Sequence, residues 1–389
     1  MIFNTFSYFL IFLLPAAMLF RSVAAAWRAP VISVFGAAFF VYFSWTTVGG
    51  GAGALCLGLF LWESLVSRIY RPGSRWCLLG IALALVILFA FKYWNFAIGL
   101  VAGANNPWRW QHAFLPLGIS FFTFEFIHYA RDRYKGRTEA GGFWEYFAFI
   151  LFFPTMVAGP IKRYQDFLPS LRNPSRDWAH DFERGITRIL CGLAKKFVVA
   201  DFMTAFTEHL NPADISRAER WVLPFWLLAY AVKIYFDFSA YSDIAIGSAR
   251  LFGMKVAENF DWPYARSNIT KFWSHWHMSL TKWLTDYVFI PLGGSRVAPV
   301  RVYANVLMTL LVSGLWHGAG LNFIVWGLWH GAALCVHRWW ATGREAKPPT
   351  MLGRGLGWAL TMTVVVLGWA WFTMDLPTAL LYFNRLLLG

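Results

Sequence analysis

Apolar runs about as long as a membrane-spanning helix recur throughout this 389-residue chain. A hydrocarbon core about 30 Å thick needs roughly 20 apolar residues per helix, because each helical residue rises about 1.5 Å. Backbone polar groups in lipid must be satisfied within the spanning segment itself, which favours helices. The pattern predicts an all-α polytopic membrane protein, with residues 1–389 forming one integral-membrane domain. We count about eleven such runs, near residues 2–20, 30–48, 51–66, 76–100, 114–129, 143–158, 186–206, 221–235, 302–315, 321–336 and 356–372.

The charged residues agree with this class of protein. They make up 14% of the chain, whereas soluble domains average about 25%. The net charge of +14 comes from Lys and Arg that lie mainly in short loops between apolar runs, as topology signals and contacts to anionic lipids require. We therefore expect no nucleic-acid partner. No basic residue precedes the first run, and Arg21 follows it, so we expect a retained helix with an outward N-terminus rather than a signal peptide.

Three polar segments interrupt the apolar pattern. Residues 131–142 are strongly basic and are predicted to be cytoplasmic. Residues 162–185 mix charges with aromatic residues and Pro, which indicates short interfacial helices. Residues 250–301 are too polar to span lipid and too aromatic for a simple solvated loop, so we expect a re-entrant or cavity-lining segment.

The four cysteines form no CxxC motif and lie in or beside apolar runs. We expect all of them to be buried apolar side chains that say nothing firm about redox compartment. They are Cys56, Cys77, Cys191 and Cys335.

Two Trp-His pairs stand in the otherwise apolar or small stretch SGLWHGAGLNFIVWGLWH, residues 313–330. A neutral imidazole needs both a donor and an acceptor satisfied, and its charged form is disfavoured at membrane depth. Glycines flank His317 and let backbones or a substrate come close. If the stretch is one continuous helix, His317 and His330 lie on different faces roughly 20 Å apart and do not serve one reacting centre. His330 and His337 lie seven residues apart on one face and are interpreted as packing or interface residues.

A second histidine pair lies in FWSHWHMSLTKWL, residues 272–284. His275 and His277 point about 200° apart on a helix but share a face in an extended segment, which is the arrangement of an H-x-H metal site. No carboxylate or cysteine stands at ligand spacing nearby, so we expect no metal. The alternative is an interfacial helix with His and Trp at headgroup depth.

Ionisable residues also fall within or beside the apolar runs. Lys233 and Asp237 share a helical face with Tyr241, and Asp243 shares a face with Arg250. These side chains either hold helices together as charge pairs or line a cavity. A further possible pair, Glu125 with His128, is interpreted as structural.

At these residues the chain resembles the membrane-bound O-acyltransferase (MBOAT) family, and within it the bacterial branch that acetylates alginate or D-alanylates teichoic acid. The resemblance covers most of the chain and rests on five ordered blocks at residues 115–136, 152–171, 236–253, 259–294 and 313–331. It implies a ring of about ten or eleven transmembrane helices around a central funnel or tunnel. The chain stops earlier than the longer alginate-type members, which leaves their additional C-terminal helices in doubt.

The resemblance also implies which residues act. The near-invariant histidine of the family matches His317, and a second recurrent histidine in a WHMSL context matches His277 rather than His275. An imidazole with a pKa near 6.5 suits proton removal from a hydroxyl that attacks an acyl thioester. We assign His317 as general base and His277 as a second catalytic or acceptor-positioning residue. We also expect four residues to line the reaction chamber around these histidines and to bind substrate, namely Trp316, Trp276, Asp237 and Asp243.

The leading hypothesis is an enzyme that moves an acyl group, acetyl in particular, from a cytoplasmic thioester to an envelope polysaccharide or an extracytoplasmic relay protein. Acetyl-coenzyme A or an acyl carrier protein would be the co-substrate. No tightly bound cofactor is expected, and no Gly-rich phosphate loop marks where the donor binds. The expected location is the bacterial inner membrane, among its lipids. A transporter or flippase remains the alternative, although paired repeats with broken helices, frequent in transporters, are not visible.

Overall fold

A computed structural model describes residues 2–48, 50–103, 105–110, 115–157, 159–342 and 350–388. Over these residues every regular element is helical, which confirms the predicted fold class. Within these ranges, four helical segments are both long and apolar enough to cross a membrane, namely Ala25–Trp45, Arg75–Ala102, Pro299–His317 and Met351–Thr373. The helices at the other predicted runs are shorter, more charged or less apolar than these four.

The chain divides into two compact units, each discontinuous in sequence. The first comprises Met1–Leu193 and Ala240–Ala257, and the second comprises Ala194–Ser239 and Glu258–Gly389. Helices of the first unit are α1 (Leu14–Ser22), α2 (Ala25–Val48), α3 (Gly50–Val66), α4 (Arg75–Leu88), α5 (Trp94–Ala102), α6 (Ile119–Tyr134), α7 (Phe143–Ile150), α8 (Tyr164–Arg172) and α9 (Trp178–Ala194).

The second unit continues from α9 through a π-helical turn, Lys195–Ala200. Its helices are α10 (Thr204–Thr207), α11 (Pro212–Arg217), the first half of α12 (Leu223–Leu251), α13 (Ile269–His275), α14 (Met278–Leu284), α15 (Pro299–His317), α16 (Leu321–Ala341), α17 (Met351–Thr373) and α18 (Leu376–Leu387). Helix α12 passes from the second unit into the first at Ala240. The predicted histidine sites both belong to the second unit.

Glycines allow α9 and the end of α12 to cross closely in the first unit. A Cβ on Gly185 would lie 2.9 Å from the carbonyl oxygen of Gly247, and a Cβ on Gly247 would lie 2.6 Å from that of Gly185. Real side chains do not approach a backbone oxygen so closely, so the two helices can pack this way only without side chains at these positions. About two turns further along α9, Gly192 faces the backbone of Ala240 in the same manner.

Gly247→Val is therefore expected to destabilise the first unit, because the larger side chain forces α9 and α12 apart. Overpacking of this kind costs about 1–3 kcal/mol. Thermal unfolding in detergent should show a midpoint several degrees lower. The matched control is Gly58→Val in α3, where an added Cβ meets nothing within 4 Å. Equal midpoints for the two variants would contradict this account of the crossing.

Several polar residues of the first unit find partners other than those predicted. Glu125 and His128 do not pair with each other: Glu125 binds Lys162, and Nε2 of His128 accepts a hydrogen bond from the Tyr164 amide at 3.0 Å. Both therefore tie α6 to the segment that leads into α8, which fits their structural interpretation. Asp243 is bound by Arg188 of α9 at 2.5 Å and not by Arg250.

The expectation that every cysteine is buried is wrong at Cys191, which is exposed. Helix α9 is amphipathic, and its buried face is formed by Asp181, Gly185, Ile189 and Gly192. Cys191 lies off that face. Cys56 and Cys77 are buried as expected, and Cys335 is half-buried.

Candidate active site

His317 lies at the tip of a tight helical hairpin in the second unit. Helix α15 ends at this residue, Gly318 and Gly320 are extended, and α16 begins immediately afterwards. The two helices pack closely, because a Cβ on Gly314 would lie 2.1 Å from the carbonyl oxygen of Phe323. The glycines around the first Trp-His pair thus serve close backbone packing.

Aromatic rings surround His317 without sealing it. Its ring centroid lies 4.8 Å from that of Trp316, 5.1 Å from Trp326 and 4.9 Å from Phe372. Trp316 and Trp326 are buried, whereas His317 itself is only half-buried. The imidazole is therefore not fully enclosed by protein, and three neighbouring rings limit its orientation.

The prediction that the two LWHG histidines lie about 20 Å apart is wrong, because it assumed one continuous helix. The chain reverses at Gly318–Gly320, and the rings of His317 and His330 both lie 5.1 Å from the indole of Trp326. His330 is fully buried against Trp273, and neither of its ring nitrogens has a hydrogen-bond partner in the described part of the chain. Its interpretation as a packing residue agrees with this burial.

His277 lies between α13 and α14 in a strained backbone conformation. Its φ is +44°, in the left-handed region that non-glycine residues rarely occupy. Only 1% of the residue is exposed, and its ring contacts Phe238 at 4.6 Å and Trp316 at 6.1 Å. Strain of this type persists only where the surroundings enforce it, and it concentrates at functional sites.

The hydrogen bonds of His277 define its tautomer. Asn259 Oδ1 lies 3.2 Å from Nδ1 of His277 and also accepts hydrogen bonds from the backbone N–H and the hydroxyl of Ser279. A backbone N–H can only donate, so this Asn259 atom is an oxygen and Nδ1 of His277 must carry the proton. Nε2 therefore carries a lone pair, and among the residues that the structure describes it has no hydrogen-bond partner.

Burial also keeps His277 uncharged. It lies outside the four apolar spans, and desolvation lowers its pKa to about 3, because a buried imidazolium loses its hydration. The ring is therefore neutral near pH 7. A neutral imidazole with an Nε2 lone pair can accept a hydrogen bond from a hydroxyl.

Trp316 connects the two histidines, since its ring contacts both His277 and His317. Trp276 is more buried than His317, with 4% exposure, and packs against Tyr264, Phe272 and Trp369. The structure thus brings His277, His317 and Trp316 together. It places Trp276 in the aromatic wall behind them.

The two predicted aspartates lie in different surroundings. Asp237 belongs to the second unit, directly before Phe238, and forms an ion pair with Lys196 at 3.0 Å. Asp243 belongs to the first unit, is 3% exposed and is bound by Arg188. Its substrate-binding role stays a prediction, and its contacts are those of a structural ion pair.

His275 does not share the environment of His277. Its Nδ1 lies 2.7 Å from the carbonyl oxygen of Lys271, and its Nε2 lies 3.5 Å from Asp261. Within the described ranges, no group of three or more His, Cys, Asp or Glu side chains could hold a metal ion.

Sequence reasoning missed several residues that complete the site. Asn259 sets the tautomer of His277 from 18 positions away in the chain, a separation that no helical or strand period marks. Phe238, Trp326 and Phe372 form ring contacts to the two histidines. Their only sequence signal was membership of the quoted blocks or of the last apolar run.

The apolar spans and the all-helical fold define a multi-pass membrane protein. A profile of the membrane-bound O-acyltransferase family matches residues 87–366. The chain belongs to this family.

The chain is also similar in sequence to individual acyltransferases. The chain is 35% identical over 353 residues to a probable alginate O-acetylase of Pseudomonas syringae pv. tomato, covering 86% of this chain and 66% of the relative. It is 32% identical over 330 residues to the peptidoglycan O-acetyltransferase of Helicobacter pylori, covering 76% and 61%. It is 29% identical over 293 residues to the teichoic acid D-alanyltransferase of Bacillus subtilis, covering 70% and 72%. The chain therefore spans less than two thirds of the length of the first two.

Proposed function

We propose that this protein is an O-acyltransferase that moves an acyl group, acetyl in particular, from a cytoplasmic thioester to a hydroxyl outside the cytoplasm. The acceptor is an envelope polysaccharide or a relay protein that passes the group on. Family membership supports the reaction class, and relatives named for alginate, peptidoglycan and teichoic acid support an envelope acceptor. The protein would act in the bacterial inner membrane.

The observation that carries this proposal is the placement of His317 and His277 around Trp316. His317 is half-buried at the hairpin tip, so its imidazole is not fully enclosed by protein. His277 offers a free Nε2 lone pair beside the same indole. One imidazole can take a proton while the other orients the attacking hydroxyl.

The chemistry needs little beyond positioning and proton transfer, because a thioester is already activated. The alcohol oxygen forms a bond to the carbonyl carbon, and its proton passes to His317. The C–S bond then breaks, and the thiolate takes the proton from the imidazolium, which restores the neutral ring. General-base assistance of this kind is commonly worth about 10² to 10⁴-fold.

The test uses purified protein in lipid nanodiscs with radiolabelled acetyl-coenzyme A or acetylated acyl carrier protein as donor. Acceptors are an alginate oligosaccharide and a peptidoglycan disaccharide, and products are identified by mass spectrometry. We expect label to pass to a hydroxyl as an ester. A protein that moves either substrate across the bilayer without forming an ester would support the transporter alternative instead.

A further inference from the structure

A basic patch lies at one end of three helices of the first unit. Helix α3 ends at Val66, α4 begins at Arg75 and α6 ends at Tyr134. Residues 68–75 and 131–137 stand at these ends, and together they contain seven Lys or Arg residues and one acidic residue. Five of the seven are exposed, and we call them the basic patch: Arg68, Arg71, Arg75, Lys135 and Arg137.

Hydrogen bonds hold the two segments of the patch together. The Gly73 N–H donates to the carbonyl oxygen of Tyr134 at 2.9 Å. The buried guanidinium of Arg133 donates to the carbonyl oxygens of Tyr70 and Thr138, each at 2.7 Å. The backbone that carries the five cations is therefore fixed by the fold itself.

The charge of the patch is not neutralised by the protein. Asp132, the acidic residue of these segments, is 2% exposed and accepts a hydrogen bond from Gln165. Glu139, just beyond them, pairs with Arg172. Within the described ranges, none of the five patch side chains has an ion-pair partner. Because cations this close together repel one another, an anion bound among them stabilises the folded protein.

The patch lies at the level of lipid headgroups. Arg75 is the first residue of Arg75–Ala102, one of the segments long and apolar enough to cross a membrane. In the first turn of this segment Trp76 is 55% exposed, and tryptophan is enriched where headgroups meet hydrocarbon. The anions that the patch meets there are those of the membrane surface.

An apolar crevice opens between the same three helices. Apolar side chains from all three line it, among them Leu59, Trp62, Leu83, Ile87 and Phe126. Glu63 also lines the crevice, and its Oε1 accepts a hydrogen bond from the Tyr70 hydroxyl at 3.1 Å. Trp62 is 42% exposed, so the crevice is open to the outside of the unit.

The crevice lies at the depth of lipid acyl chains. Leu83 and Ile87 follow Arg75 in α4 by 8 and 12 residues, which places them about 12–18 Å along the helix from the patch. A membrane phospholipid carries its phosphate at headgroup level and its acyl chains below. A soluble phosphate compound or an acidic protein would contact the patch alone and leave the crevice without an occupant.

We propose that one anionic phospholipid binds between α3 and α4, with its phosphate on the basic patch and one acyl chain in the crevice. This site goes beyond the proposed acyl transfer, because patch and crevice belong to the first unit, whereas the candidate catalytic histidines belong to the second. The lipid offsets the repulsion among the cations and packs against the apolar crevice wall, so it stabilises the first unit.

Native mass spectrometry of the purified protein, titrated with phosphatidylglycerol in detergent, tests the patch. We expect one tightly held lipid per protein and much weaker binding of zwitterionic phosphatidylcholine. Combining Arg71→Gln with Lys135→Gln should weaken phosphatidylglycerol binding at least about tenfold, since each cation near a membrane surface contributes roughly fivefold. The matched control combines Arg296→Gln with Arg301→Gln, two exposed cations near the start of another span, Pro299–His317.

A second variant tests the crevice. Leu83→Trp fills part of it, and we expect this change to weaken phosphatidylglycerol binding with the patch intact. Its matched control is Leu78→Trp, an exposed position of the same helix that does not line the crevice. Thermal unfolding checks that all variants fold, and bound phosphatidylglycerol should raise the midpoint of the wild type more than that of Leu83→Trp.

Equal weakening in the patch variant and its control pair would overturn the inference, because general attraction to positive charge would then explain the binding. Unchanged binding in Leu83→Trp would also overturn it, as would binding of glycerol 3-phosphate as tight as that of the lipid. Protection of Lys135 from amine labelling by an acidic acyl carrier protein, and not by phosphatidylglycerol, would overturn it in favour of a protein partner.

Discussion

His317→Ala is expected to lower the rate of acyl transfer at least about 10²-fold while the protein still folds and inserts. The side chain is half-buried at the end of α15 and is held by ring contacts. Its loss therefore removes the proposed proton acceptor without opening the helical hairpin, whose close packing depends on Gly314 and Gly327. The measurement is single-turnover transfer from a labelled thioester in nanodiscs, with thermal unfolding as the check on folding.

Two further variants sharpen that experiment. His317→Gln keeps a hydrogen-bonding side chain but has no basic nitrogen, so a rate as low as that of the Ala variant identifies proton removal as the lost step. His209→Ala is the matched control, because this half-buried histidine of the same unit pairs with Asp214 and contacts neither candidate catalytic residue in the described structure. Wild-type turnover by the Ala variant would show that His317 is not the general base.

Features that depend on composition and length were predictable from the sequence. Apolar runs gave the helices, since lipid requires every backbone group to be bonded within its own segment. The polar stretch after Arg250 was recognised as unusual, and the structure fills it with two short helices, α13 and α14, and buried aromatic rings. The helical break at Gly318–Gly320 was missed, because glycines between apolar residues are equally compatible with a continuous helix and with a hairpin.

Pairings between distant residues were not predictable. Helical spacing aligned Lys233 with Asp237, yet these side chains bind Thr207 and Lys196 instead. Both partners precede α12 in the chain. Lys196 lies in a π-helical turn that no residue pattern marks. The same limit applies to Asn259, whose contact with His277 is formed by the path of the backbone and not by a period.

His277→Asn is expected to reduce turnover about 10²-fold with little change in donor KM. Asparagine tolerates the left-handed backbone at this position, where φ is +44°. Its side-chain amide can also replace the Nδ1–H donor to Asn259. The variant therefore keeps the left-handed backbone and the bond to Asn259 while it removes the Nε2 lone pair and the ring contacts to Phe238 and Trp316. Thermal unfolding shows whether the lost ring contacts alone disturb the fold.

The matched control is His275→Asn, two residues earlier, where the half-buried ring contacts Lys271 and Asp261 instead of the site. His277→Gln extends an amide oxygen towards the position of Nε2 and separates the two possible roles. Partial recovery with Gln means that Nε2 only accepts a hydrogen bond from the hydroxyl, because an amide oxygen can do this but cannot take up a proton. No recovery means that Nε2 acts as a base, and an unchanged rate in the Asn variant would make His277 a structural residue.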